Sequence, residues 1–91
     1  MRFRALRISV PYDRQAMIYY TLRCYRQLPV QQQRAIEGRI RRACGERYED
    51  EYFRPVMEWV TGLRSMPLVI GEYGVSDKRL LAIRKKLFEQ W

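Results

Sequence analysis

The sequence predicts an all-α fold, a compact bundle of about five helices behind a short extended arm. Three observations lead there. Apolar residues recur at spacings of three and four in four separate stretches, the period of a helix with one buried side. Proline or glycine punctuates the chain between those stretches, at Pro29, Gly45, Gly62 and Gly74,. Only residues 2–10 partly alternate, and that run is too short to build a sheet,. Ninety-one residues make one domain, 1–91, with 1–12 as the arm, 13–62 as a three-helix support and 65–91 as a terminal helical pair,.

In the arm, Leu6, Ile8 and Val10 share one side if the chain is extended, while Arg2, Arg4 and Arg7 share none. Pro11 suits the boundary, having a fixed φ and no N–H. Asp13 can cap a helix over about Arg14 to Gln27, its carboxylate accepting free N–H groups of the first turn. Met17, Tyr20, Cys24 and Leu28 define that helix's stripe, and Ile18, Leu22 and Tyr25 widen it. A face so broad predicts a central helix.

Pro29 ends this segment and opens a helix over Val30 to Cys44, since proline is tolerated in a first turn. Ile36, Ile40, Ala43 and Cys44 form its buried stripe; Arg34, Glu37, Arg41 and Arg42 lie opposite, with Arg39 alongside. Gly45 is a C-terminal stop. The acidic residues Glu46, Glu49, Asp50 and Glu51 then suit the positive end of a helix dipole. The helix they open covers about Tyr48 to Thr61, with Phe53, Val56, Met57 and Val60 inward and Gly62 as its end. Pro55 predicts either a start near Tyr52 or a kink.

Lys plus Arg is 18 against 10 for Asp plus Glu, a net charge of +8. Such a field attracts polyanions, nucleic acid foremost, and also serves solubility. Hydrophobic residues are 47% of the chain, which excludes a disordered tail. Cys24 and Cys44, with no histidine, do not make an ordinary zinc site,; both are expected as reduced, packed thiols in a cytoplasmic protein. No apolar run approaches the ~18 residues of a membrane span, and the N-terminus lacks a signal-peptide stretch. Nothing points to an enzyme: there is no histidine for acid–base work, no glycine-rich phosphate loop and no nucleophile elbow,. The acidic cluster at 46–51 lacks calcium-loop spacing, so no metal or cofactor is expected.

The terminal pair carries the sharpest signal. Gly74 supplies the positive φ of a tight turn. Val75 can bury beneath both helices, Ser76 can cap the second, and Asp77 favours its positive end. Val69, Ile70 and Tyr73 line the first helix, and Leu80, Ile83, Leu87 and Trp91 continue along the second. The rest of the second helix is basic, with Lys78, Arg79, Arg84, Lys85 and Lys86.

Gly-Val-Ser followed by a basic amphipathic helix resembles helix-turn-helix DNA-binding proteins, in particular sigma-factor region 4 domains and small phage or mobile-element regulators. The resemblance covers residues 65–88. It implies a second helix lying in the major groove, with Ser76, Asp77, Lys78, Leu81, Ala82 and Lys85 facing bases. Arg79, Arg84 and Lys86 would meet phosphates, which orient a protein without reading sequence. Ile70 stands where that family has a small residue, and its bulk predicts helices held further apart.

The expectation is a DNA-binding transcriptional regulator of bacterial, phage or mobile-element type. One such helix reads few base pairs, so specificity calls for a homodimer or a protein partner, which the upstream helices could supply. Two other readings are a protein-interaction module, such as a phage-type inhibitor or assembly subunit with its basic face on an acidic partner, and structured-RNA binding.

Overall fold

The computed structural model describes residues 8–91, which form five α-helices and one short 3-10 turn. The helices are α1 (Tyr12–Arg23), α2 (Val30–Cys44), α3 (Glu49–Val60), α4 (Met66–Tyr73) and α5 (Asp77–Glu89), with the 3-10 turn at Tyr25–Gln27. The all-α bundle expected from periodicity is what the chain adopts. Arg2, Arg4, Arg7 and Leu6 lie outside the described residues. Of the arm's remaining apolar residues, Ile8 and Val10 pack against the core.

α3 is the hub, packing against α2 and α4 and also meeting α1 and α5. The core runs through the middle of the bundle, from Ile18 and Leu22 through Ile40 and Val56 to Val69, Leu80 and Leu87. α2 matches its expected bounds, buries Ile36, Ile40, Ala43 and Cys44, and ends at Gly45 with φ 84°. α3 runs unbroken through Pro55, whose ring is buried. The carbonyl that loses its partner there belongs to Glu51, an exposed residue where water can serve it,. Tyr52 and Pro55 join Val56 and Val60 inside, while Phe53 and Met57, expected inward, lie half-buried.

α1 departs most from its expected form. It starts at Tyr12, ahead of the expected Arg14, with Pro11 preceding it and no side-chain cap, and Asp13 sits inside the first turn. It stops at Arg23, so Cys24 is its C-cap rather than a residue within it. Its buried side is Ile18 and Leu22, whereas Met17 and Tyr20 of the expected stripe are 46% and 72% exposed. The physical reason is that the apolar residues of α1 are scattered around it among Asp13, Arg14, Gln15, Thr21 and Arg23, so spacing alone does not choose its inner face,.

Arginine on aromatic rings stitches the helices together. Arg39 lies 4.8 Å from the Trp91 ring and also donates to the Trp91 carbonyl. Arg41 lies 3.9 Å from the Phe53 ring and pairs with Glu49 at 2.9 Å. Part of the α2 arginine surplus thus joins α2 to α3 and to the C-terminus.

Candidate nucleic-acid interface

The α4–α5 junction is built as its residues predict. Gly74 adopts the left-handed conformation, φ 65° and ψ 33°, and returns its N–H to the Ile70 carbonyl at 2.8 Å. Val75 tucks into the core. Ser76 caps α5: its Oγ accepts the Arg79 N–H at 3.2 Å, and its own N–H donates to the Tyr52 hydroxyl at 3.1 Å. The start of α5 is therefore fixed from within the helix and from α3.

α4 is held to α3 rather than to α5. The Tyr73 hydroxyl donates to Glu58 at 2.7 Å, which pushes the Tyr73 pKa above its ordinary value. Arg64 bridges Glu58 and Glu72, at 3.3 Å each. α4 and α5 diverge from the turn and do not run side by side as an antiparallel hairpin would. Ile70, half-buried, fits that separation, and a side chain at Gly71 would meet nothing within 4 Å.

Leu80, Ile83, Leu87 and Phe88 face inward from α5. On the other side Ser76, Asp77, Lys78, Ala82 and Lys86 are exposed, and Leu81 and Lys85 are half-exposed. Lys78, Ala82 and Lys85 fall at i, i+4 and i+7, one stripe of a helix. The face is not uniformly positive, since Lys85 pairs with Glu89 at 3.6 Å. Glu89 also accepts the Ser9 N–H at 3.2 Å, and that bond, with Lys85, holds its carboxyl below the usual range.

The two arginines expected on phosphates sit on opposite flanks. Arg84 does not face outward. It lies half-buried 4.9 Å from the Trp59 ring, burial lowers its pKa, and its Nε has no hydrogen-bond partner among the described residues. Arg84 falls between Leu80 and Phe88 around the helix, so it belongs to the packed side. Arg79 lies 4.0 Å from the Tyr48 ring and keeps part of its surface open. An open groove follows this flank between α5 and the 45–48 turn, bordered by Tyr48, Arg79 and Ala82, with Lys78 and Glu51 toward one end and Lys86 and Glu46 toward the other.

The 45–48 turn gives no sequence signal of a site, because Arg47 and Tyr48 stand among acidic residues that read as a helix start. A cation contributes nothing favourable to a helix N-terminus, so Arg47 is the residue out of keeping there. Among the described residues there is no acidic, cysteine or histidine cluster able to hold a metal, and no helix long and apolar enough to cross a membrane. No family model, curated protein or solved structure matches the chain.

Proposed function

We propose that this protein binds double-stranded DNA by laying the outer side of α5 in the major groove, as a transcriptional regulator of bacterial, phage or mobile-element type. The observation that carries this reading is the α5 face. It stands away from the core on a capped, braced helix, with the cations Lys78, Lys85 and Lys86 around the small Ala82. Lysines can meet guanine acceptors or phosphates, and Leu81 and Ala82 can pack on thymine methyls. The residual Asp77 and Glu89 charges temper non-specific attraction.

The test is affinity for a labelled duplex across a salt series. Wild-type protein binds with a steep negative slope of log affinity on log salt. K78Q/K85Q/K86Q binds more weakly and with a flatter slope, since each lost phosphate contact removes about 0.9 from it. Unchanged affinity in the triple variant overturns the reading, and a preference for double-stranded RNA redirects it.

A protein contact is supported separately by α1. Three large side chains on its outer surface, Tyr12, Met17 and Tyr20, are exposed, Tyr12 by 88%. Tyrosine and methionine are typical of protein interfaces. A second copy joined through α1 would supply the paired half-site contacts that one reading helix needs. Sedimentation of wild type against Y12R/Y20R tests this, with a concentration-dependent dimer expected only for wild type.

A further inference from the structure

We infer that Arg47, Tyr48 and Arg79 form a seat for one DNA backbone phosphate, at the edge of the groove between the α2–α3 turn and α5. Both guanidiniums converge on the same ring: Arg79 lies 4.0 Å and Arg47 5.5 Å from the Tyr48 centroid. Neither has a carboxylate within ion-pair distance among the described residues, although Arg41 and Arg64 do. Glu46 and Glu51 also border the groove, yet neither pairs with these guanidiniums, so Arg47 and Arg79 keep donors for an added anion,. A guanidinium offers a planar fork matched to phosphate oxygens, and stacking on an aromatic face preorganises it.

The placement of Tyr48 is itself braced. Its ring meets Tyr52 edge to face at 5.9 Å, and the Tyr52 hydroxyl receives the Ser76 N–H at the start of α5. The seat and the reading helix are therefore registered to each other through α3. Lys78 and Lys86 flank the same groove. The groove is not enclosed, so a phosphodiester lying along the helix edge is the anion it takes, rather than a small buried metabolite.

This inference rests on the proposed DNA reading, and the experiment separates the two. Wild type, R47Q, Y48L, the α5 triple variant and R14Q are titrated with the same random-sequence duplex across a salt series. Arg14 is exposed on α1 and does not line the groove. Expected are about tenfold weaker binding by R47Q and a salt slope shallower by about one, with R14Q unchanged. Y48L weakens binding in the same sense, and its thermal unfolding shows whether the fold persists. R47Q needs no such check, because its guanidinium lies on the surface of a turn. Wild-type affinity and slope in R47Q, alongside weakened binding by the α5 triple variant, overturn the seat and leave the DNA reading standing. Absence of duplex binding by wild type overturns both. Loss in R14Q equal to that in R47Q reduces the effect to net charge and overturns the seat.

Discussion

α1 and α5 are nearly equal in length, 12 and 13 residues, yet they are held in opposite ways. α5 buries four side chains on one stripe, begins at a serine cap braced by Tyr52, and turns a polar, cation-bearing side to solvent. α1 buries two, lacks a side-chain cap, and leaves tyrosines outside. A helix fixed at its start and along one flank can present side chains at set positions, which base reading requires. A helix with an uncovered aromatic face is suited to a partner that covers it.

Truncation in the core gives the largest expected contrast. Leu80 is fully buried, so Leu80→Ala destabilises by about 2–5 kcal/mol,. Met17→Ala on the open side of α1 stays within about 0.5 kcal/mol in the isolated monomer. Denaturant unfolding of both variants measures this, and equal losses would erase the distinction between the two helices. At the helix starts, Ser76→Ala costs about 1 kcal/mol, the usual value of a cap. Asp13→Ala costs less, because its carboxylate accepts only the adjacent Arg14 N–H, at 2.9 Å. A larger loss at Asp13 would place the better-anchored start at α1.

Arg84 sharpens the comparison from the other flank. Its buried Nε lacks a partner, and hydrophobic replacement of such a charge is commonly neutral or stabilising,. Arg84→Met should therefore leave stability within about 1 kcal/mol of wild type and leave DNA affinity in place. A fall in affinity as large as that of the α5 triple variant would return Arg84 to the phosphate-binding set.

A pH-dependent effect lies beyond the end of α1. Burial, then the bond that Tyr25 donates to Glu37, pushes the Tyr25 phenol up to about 12, against an unfolded value of about 10,. Its contribution is fully present below pH ~10 and is lost as pH rises toward ~12. Burial raises the Cys44 thiol to about 11, which adds a loss beginning near pH ~9,. Denaturant titrations at pH 8 and 11 should show this decline, and Tyr25→Phe should make it shallower. An unchanged pH dependence in that variant would discount the Tyr25 bond.

The legible parts of the chain are those where several local signals coincide. α2 shows its bounds because Pro29 and Gly45 bracket one apolar stripe. The 74–77 junction is legible because a glycine, a buried valine, a capping serine and an acid each serve one geometry. The inner side of α1 is not legible because apolar residues are scattered around its circumference, leaving tertiary contacts to choose it. The fates of Arg79 and Arg84 were hidden for a related reason. Periodicity sets a direction around the helix, but Tyr48 and Trp59, which receive them, come from elsewhere in the chain. Arg47 is not legible because it shares the Tyr48 ring with Arg79 only after α2, α3 and α5 pack.

The central claim is that the outer side of α5 meets DNA, and amide chemical-shift mapping during titration with a short duplex tests it most directly. The largest shifts are expected at Ser76, Lys78, Ala82 and Lys85, joined by Arg47 and Tyr48, with α1 between Tyr12 and Arg23 little changed. Shifts concentrated on α1, or none at duplex saturation, would contradict it.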